Sequence, residues 1–489
     1  MQKSVAAVPD AASPQIAALK AQAEEATNTG KFDDADRLLQ QIEAAQDAAL
    51  RSQLADRSAT ATSRAKIAMT QLRYRDAALQ FVEAAQRAPD DETKLVALDA
   101  EADAYFRQGD EFGDNDALAT AIVRFENLIT LHPRTSVPLE WARSQVNLGN
   151  ALAMLGERQP DTESLKRSVE VFGNALLENT RDRVPLEWAR TEVDLGVVLV
   201  ALAEREIDTK SLERAVCAFK AALEEERRGE VPSEWVSAHL DLGVALERLG
   251  ERKGDIASLN KAVDAFTAVL SKDTRNREPM LWAKAQVDLG NALERLGERG
   301  GDAKHFIEAV AAFDAALEVE TQQRVPLLWA AVQADLGIAL EMLGDLNNDT
   351  KILESSAGAF EFALKEFSRD RAPQDWATAK NDLGNVFADL GERESGTDRL
   401  DQAVCDFSDA LSVRTRDSAP QKWAKTQIGL ADAEFQIALR RHDAQVLLAL
   451  EAKLADARLV ALQGGDERLA AYAKWISSEI AVARAKMGG

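Results

Sequence analysis

Seven tryptophans recur along the chain at a constant interval of 47 residues, and a proline lies three residues before each of them. They are Trp141, Trp188, Trp235, Trp282, Trp329, Trp376 and Trp423. In tandem-repeat proteins each unit can bury its apolar face only against its neighbours, so this period predicts a stack of supersecondary units. Such stacks present long surfaces that hold other molecules.

Each 47-residue unit is predicted to contain two amphipathic helices. In the first copy a helix begins at Pro138, where the missing N–H costs nothing, and apolar residues follow at helical spacing. Gly156 then suits a left-handed C-terminal cap. The second helix follows Asp161, whose carboxylate can accept bonds from free N–H groups, and carries Phe172 on its apolar stripe. The unit is therefore predicted to be an antiparallel helical hairpin.

A glycine recurs inside the first helix of six copies. These glycines are Gly149, Gly196, Gly243, Gly290, Gly337 and Gly384. A glycine within a helix costs about 0.5–1 kcal/mol relative to alanine. Its recurrence predicts that a neighbouring helix crosses there too closely for a side chain.

The repeat divides the chain into four segments. They are a flexible N-terminus at 1–13, degenerate helical repeats at 14–136, seven 47-residue hairpins at 137–462, and a C-terminal capping helix at 463–489. The degenerate copies are recognised from Tyr74, Phe81 and Phe125, the last of which precedes Phe172 by one period.

These features resemble the tetratricopeptide repeat family. The resemblance rests on the Leu-Gly pair of the first helix and on Ala77, Phe81 and Ala84 followed by Pro89. It covers about residues 16–462 and implies an all-α, right-handed solenoid of antiparallel hairpins. The unit is longer than the family's usual 34 residues and looks like a bacterial branch with long units, in which such arrays are often joined to an effector domain.

The tryptophans are open to two interpretations, a stacking platform for a ligand or a ladder of core residues. Each lies on the leucine stripe of its helix, as Trp141 does with Leu148 and Leu152. This pattern favours the core, and the seven tryptophans are therefore predicted to be structural.

The charge of the chain limits its partners. There are 59 Lys and Arg against 82 Asp and Glu, a net charge of −23. A surface of this charge repels phosphate groups, so we expect binding neither to nucleic acid nor to membranes. The acidic faces either keep a long helical protein soluble or select a partner with a basic segment.

The sequence also predicts a soluble cytoplasmic protein. Cys217 and Cys405 lie four periods apart, too far for a disulfide, and are predicted to be free thiols of a reducing compartment. The first residues, MQKSVAAVPDAASPQ, lack the apolar core of a signal peptide. No apolar run approaches the roughly 18–20 residues of a transmembrane helix.

No catalytic pattern is recognisable in the sequence. The histidines are His132, His239, His305 and His442. None has metal-ligand spacing to another or to a cysteine, and His239 is predicted to be structural. The acidic loops at 110–116 and 345–349 do not fit a calcium loop; from Asp345, its sixth and twelfth positions would not be Gly and Glu. We therefore expect no enzyme, no metal and no cofactor.

The resemblance also implies where a ligand binds. In the family the first helices line a concave groove, into which positions three before and one after the helix glycine usually point. The predicted peptide-binding residues are Asn150, Val197, Val244, Asn291, Ile338, Asn381 and Asn385. An asparagine amide can donate to and accept from an extended peptide backbone. The valines and isoleucine are equally compatible with core positions.

These observations favour a non-enzymatic protein–protein interaction scaffold that binds a peptide or protein segment on the concave face of a repeat superhelix. Groove positions without Lys or Arg argue against the carboxylate clamp of the best-known family members. The alternative is a sensor or regulatory module that controls an effector domain or the product of a neighbouring gene. The residues give no indication of oligomeric state.

Overall fold

A computed structural model describes residues 14–226, 232–270 and 274–487, and all regular secondary structure assigned to these residues is helical. The predicted flexible segment 1–13 lies outside the described residues. The chain divides into two compact units, Met1–Arg214 and Ala215–Gly489. This division falls within a helix of the repeat region and not at the expected transition between residues 136 and 137.

The described part of the first unit, from residue 14 to 214, contains eight helices and the start of a ninth. They are α1 (Pro14–Asn28), α2 (Phe32–Thr70), α3 (Tyr74–Gln86), α4 (Asp91–Phe112), α5 (Asn115–Leu131), α6 (Pro138–Arg158), α7 (Glu163–Ala175), α8 (Pro185–Glu206) and α9 (Thr209–Glu226). The helix α2 is long enough to pack against both α1 and α3. An alanine-rich core, with Ala65, Ala77 and Phe81, joins its C-terminal half to α3.

The second unit contains the rest of α9 and the following described helices. They are α10 (Pro232–Lys253), α11 (Ile256–Leu270), α12 (Thr274–Arg277), α13 (Pro279–Gly300), α14 (Ala303–Leu317), α15 (Pro326–Asn347), α16 (Thr350–Ala363), α17 (Pro373–Arg393), α18 (Asp398–Leu411), α19 (Pro420–Arg441), α20 (Ala444–Gln463) and α21 (Glu467–Met487). Each first helix of the 47-residue units begins at its predicted proline.

Consecutive helices pack as antiparallel hairpins. In the first 47-residue unit, Gly149 of α6 lies against Phe172 of α7, and Gly156 lies against Leu165. The contact positions advance along one helix as they recede along the other, which only an antiparallel pair allows. The all-α fold of helical hairpins predicted from the sequence is therefore confirmed.

The helix glycines are explained by the facing phenylalanine. A Cβ atom added to Gly243 would lie 2.3 Å from Cε1 of Phe266, and one added to Gly290 would lie 2.5 Å from the same atom of Phe313. Both phenylalanines are fully buried. The predicted close crossing is therefore confirmed, and the crossing element is the second helix of the same hairpin.

The second glycine of the first helix is not a cap, contrary to prediction. The helix α6 continues past Gly156 to Arg158. A Cβ at Gly156 would lie 2.8 Å from Cδ2 of Leu165, so this glycine also makes room for the second helix. Left-handed C-caps lie further along other first helices, at residues such as Ile207 and Asn348.

The predicted aspartate caps are present at the second helices. The carboxylate of Asp302 accepts a bond from the N–H of Lys304, and that of Asp349 accepts one from Lys351, both at 2.9 Å. Asp161 makes the equivalent contact with the N–H of Glu163. These bonds satisfy N–H groups that have no partner within the helix.

The first helices of neighbouring hairpins also contact each other directly. This is the case for α6 and α8 in the first unit, and for α10, α13, α15, α17 and α19 along the second unit. The helix α21 packs against α19 and α20, where Ile476 and Ile480 are buried. The successive first helices thus form a continuous layer within each unit.

Candidate functional site

The predicted groove residues lie on the first helices, and most of them are partly accessible. Val244, Asn291, Ile338 and Asn385 are half-buried, and Val197 is 38% exposed. In the first unit Asn150 of α6 is half-buried, and its side chain is hydrogen-bonded to the carboxylate of Asp194 on α8.

Asn381 does not fit the predicted role. Its side chain is 2% exposed, donates to Asp382 at 2.9 Å, and accepts a hydrogen bond from the hydroxyl of Thr426 at 2.7 Å. Arg414 donates in turn to Thr426 at 3.1 Å. The amide of Asn381 is therefore part of an internal polar network that links α17 to α19.

The apolar residues expected near the groove belong largely to the core. Leu240 and Ile428 are buried, and Val287 and Ile338 pack against buried clusters of their own hairpins. Polar side chains therefore contribute much of the surface between the first helices, and Val197 is an exposed apolar residue on it.

A row of aspartates that the sequence analysis missed follows this surface. Each directly precedes the Leu-Gly pair of its first helix and is half-buried. They are Asp194, Asp241, Asp288, Asp335 and Asp382. Burial raises the pKa of all five carboxyls, and it raises those of Asp194, Asp241 and Asp335 to about 6.

Three glutamates lie six residues after an aspartate of this row, on first helices that contact the next first helix. The charge of each interacts with that of the row aspartate on the next helix, and we call these combinations the seam pairs: Glu247 with Asp288, Glu294 with Asp335, and Glu341 with Asp382. Burial, and then the negative charge of neighbouring carboxyls, including the paired aspartate, raises the pKa of each glutamate. The pKa of Glu247 rises to about 7. All three pairs lie within the second unit.

The central seam pair contains an unsatisfied polar atom. Glu294 is 5% exposed, and its Oε1 has no hydrogen-bond partner. A buried carboxylate oxygen without a donor is costly, because the charge has lost its water and gained nothing in exchange. The pKa of Glu294 is accordingly raised well above its usual range by burial and by Asp335.

A second buried carboxylate oxygen without a partner, Oε2 of Glu320, lies near the first seam pair. Burial, together with the charge of Asp288, raises the pKa of Glu320 to about 6. In the first unit, the equivalent position is His132, which is hydrogen-bonded to the hydroxyl of Ser144. The residue equivalent to that serine is Val332, which has no hydrogen-bonding group.

Basic side chains offset this acidity only locally. Lys284 binds Asp288 at 2.8 Å, next to the first seam pair. Arg295 lies close to the central pair but binds Glu251 at 2.7 Å and Glu298 at 3.4 Å. The central pair therefore lies beside an arginine that forms ion pairs with two other carboxylates.

The acidic row continues towards the C-terminus of the second unit. Burial and the charges of Asp345, Glu392 and Asp432 raise the pKa of Asp389 to about 7, while Arg393 opposes the rise. The hydroxyl of Tyr472 on α21 donates to Asp432. The last helix thus closes the row with a neutral donor.

The signal for these carboxyls was present in the sequence, since the aspartates recur at the same 47-residue interval as the tryptophans. What the sequence does not show is that glutamates on one helix meet aspartates on the next. The predicted asparagines and the missed carboxyls lie on the same helices, and together they define the candidate site.

The tryptophans lie at the rim of the core. Trp282 is 7% exposed, whereas the other six are half-buried. Several are covered by an arginine from the preceding link: the guanidinium of Arg275 lies 4.7 Å from the ring of Trp282, and that of Arg134 lies 5.1 Å from Trp141. Their position favours a structural role in which cation–π contacts add to burial.

The remaining candidates for chemistry serve local structure. His239 is buried, and its Nδ1 lies 3.0 Å from the carbonyl oxygen of Trp235. Cys217 and Cys405 are exposed free thiols. Over residues 14–226, 232–270 and 274–487, no group of three or more His, Cys, Asp or Glu is arranged to hold a metal ion.

One helix of the described chain, α15, is long and apolar enough to cross a membrane by length and composition alone. It is the first helix of a hairpin and packs against α14 and α16. It also carries Asp335 and Glu341 of the seam pairs. These features are those of a packed helix of the array.

No family model matches the sequence, and no curated protein matches it either. Solved structures similar to the chain include the apo form of RapI, with 13% identity, a TM-score of 0.43, and coverage of 80% of this chain and 98% of that one. The apo form of the quorum sensor NprR from B. thuringiensis has 11% identity, a TM-score of 0.44, and coverage of 81% and 98%.

A third similar structure is the C-terminal part of a tetratricopeptide repeat protein from Cytophaga hutchinsonii. It has 12% identity, a TM-score of 0.40, and coverage of 65% of this chain and 98% of that one. Tetratricopeptide repeat proteins, which the sequence resembles, are thus among its structural neighbours. The similarity concerns the helical-repeat fold alone.

Proposed function

We propose that this protein is a non-enzymatic scaffold that binds a protein or peptide segment along the layer of its first helices, the face predicted to be concave. One observation carries the proposal. An aspartate recurs at the same position of four first helices of the second unit, α10, α13, α15 and α17, and these helices contact each other in turn.

The arrangement suits the binding of an extended ligand better than the catalysis of a reaction. Catalysis requires different groups, such as a nucleophile, a base and an oxyanion donor, to converge within about 3 Å of one point. Here similar groups repeat at intervals of one hairpin. A chain molecule that lies across the first helices would meet an equivalent set of side chains at each step.

The two classes of polar group on this layer, amides and carboxyls, have complementary uses. Amides such as those of Asn291 and Asn385 can both donate to and accept from a peptide backbone, which fixes an extended segment without regard to its sequence. Ionised carboxyls accept hydrogen bonds but cannot donate them, and they discriminate among partner side chains by charge.

The test is capture of a partner from the source lysate with the intact protein, compared with a variant carrying Asn291→Ala and Asn385→Ala. We expect the variant to lose the partner, because both amides lie on the first-helix layer. A matched control is Asn260→Ala, which removes an exposed asparagine from the second helix α11. Equal recovery by all three proteins would contradict the proposal.

A further inference from the structure

The seam pairs form a row with regular spacing. They lie between α10 and α13, between α13 and α15, and between α15 and α17, and these helices contact each other in turn. Directly packed helices lie about 8–10 Å apart. Consecutive seam pairs are therefore separated by about 8–10 Å across the layer.

The central seam pair has unused capacity to accept hydrogen bonds. Oε1 of Glu294 is buried without a donor, and a carboxylate can accept several. The nearest basic residue, Arg295, binds Glu251 and Glu298. A group that brings both donors and positive charge would satisfy the oxygen and offset the repulsion between Glu294 and Asp335.

The chemistry of the pair selects an organic cation. Each seam pair supplies two carboxyl groups, and within the described ranges there is no cluster of three or more potential metal ligands. A lysine ammonium carries three donors and an arginine guanidinium five, and both form short charge-assisted bonds with carboxylates. Either can lie between two carboxyls.

Resting on the scaffold function proposed above, we infer that the three seam pairs bind lysine or arginine side chains of one extended partner segment, with a basic residue at every third position. A partner in the polyproline II conformation advances about 3.1 Å per residue and has three residues per turn, so every third side chain lies on the same side and about 9 Å further along. This rise matches the spacing of about 8–10 Å between successive seams. The central pair, Glu294 with Asp335, is the principal site.

The three seams are not equivalent in this scheme. At the first, Lys284 already binds Asp288 at 2.8 Å, so an incoming cation competes with it. At the third, Asp382 accepts from the amide of Asn381 at 2.9 Å. At the central pair, Oε1 of Glu294 is without any donor, so the largest gain is expected there.

The test uses the full-length protein and two peptides of identical composition. One consists of repeated Lys-Ala-Ser units, which place lysine at every third position; in the other the lysines are contiguous. Binding is measured by fluorescence anisotropy at low salt. We expect the spaced peptide to bind at least about tenfold more tightly, because one charged hydrogen bond contributes about 1.5–3 kcal/mol.

The decisive variant is the double substitution Glu294→Gln with Asp335→Asn, which keeps the shape of the central pair and removes its charge. It should abolish the advantage of the spaced peptide. The control, Glu308→Gln with Glu361→Gln, removes two charges from exposed positions on α14 and α16 of the same hairpins, and it should keep the advantage.

Three results would overturn the inference. They are equal binding of the two peptides, equal loss in the control and the seam variant, and binding of free spermidine as tight as that of the spaced peptide. The scaffold proposal is tested separately by the Asn291 and Asn385 variant. If that variant loses its partner while the seam variant retains it, the scaffold stands and the seam inference fails.

Discussion

The two compact units share one hairpin design but differ at the seam between first helices. In the first unit the positions equivalent to the seam glutamate are Ala153 and Val200, and those equivalent to the row aspartate are Asn147 and Asp194. In the second unit three consecutive seams carry a glutamate and an aspartate together. The interior of each hairpin is constant, whereas the seam changes.

This difference separates residues that hold the fold from residues that cost it stability. The contact of a helix glycine with a buried phenylalanine is repeated in both units, at Gly149 with Phe172 and at Gly243 with Phe266. The seam carboxyls are partly desolvated like charges, which oppose folding. Groups that destabilise a fold at regular positions are expected where binding occurs.

The seam carboxyls and the carboxyls held in surface ion pairs should respond to pH in opposite directions. Asp194 of the first unit, whose pKa burial raises to about 6, behaves like the seam carboxyls. In the second unit folding raises carboxyl pKa values, to about 7 for Glu247 and about 6 for Asp335. The stability from these groups is complete below about pH 4 and is lost as the pH rises through 6 to 7. In the first unit Arg75, and then the N–H of Ala117, lower the pKa of Asp114, while Arg134 and Arg183 lower that of Glu178, so the contribution of these two carboxyls is lost as the pH falls.

The largest expected effect concerns the tryptophans, which recur in both units. Trp282→Ala should destabilise the second unit by about 3–5 kcal/mol, because this ring is buried. Trp188→Ala in the first unit removes a half-buried ring and should cost less. Hydrogen exchange measured separately over the two units distinguishes them. Equal costs would show that burial does not set the contribution of these rings.

The next effect tests the glycine contact. Gly243→Ala should cost about 1–3 kcal/mol in chemical unfolding, because the new Cβ would lie 2.3 Å from Phe266. Gly358→Ala is the control, since no other group lies within 4 Å of a Cβ there. It should be neutral or stabilise the protein by up to about 1 kcal/mol. If Gly243→Ala leaves the free energy of unfolding unchanged, the two helices can move apart at no cost.

A smaller effect distinguishes the seams of the second unit. Glu294→Gln with Asp335→Asn should raise the free energy of unfolding by about 1–2 kcal/mol at pH 8, since two like charges no longer have to be desolvated. At pH 4 the wild-type carboxyls are largely protonated, and the gain should vanish. Urea unfolding followed by circular dichroism at both pH values measures it. If the free energy of unfolding rises by the same amount at pH 4, the repulsion and desolvation of the two charges are not the cause of the gain.

The smallest effect is expected from a capping aspartate of the first unit that also forms an ion pair. Asp114 caps α5 through the N–H of Ala117 and binds Arg75 at 2.6 Å. Asp114→Asn keeps a good cap but loses the ion pair, so hydrogen exchange at pH 7 should show a loss of under about 1 kcal/mol. The loss should shrink as the pH falls through the lowered pKa of Asp114. A loss of stability that grows as the pH falls would contradict the lowered pKa of Asp114.

Much of the fold could be predicted because its causes are local and periodic. Prolines fix the start of each first helix, and aspartates such as Asp302 cap the second. The role of Gly156 was wrong because a helix-ending glycine and a glycine that admits Leu165 have the same sequence signature. Asn381 was misplaced for a related reason, since sequence position gives a helix face but not the partners that occupy it.

The sequence by itself determined the hairpin and its repetition, because helical periodicity, the missing N–H of proline and the missing side chain of glycine act within a few residues or at one fixed interval. Only the tertiary structure decided that Glu294 meets Asp335 and leaves one oxygen without a donor. These residues are 41 positions apart. Their meeting depends on the distance and rotation between two packed hairpins, which no local pattern specifies.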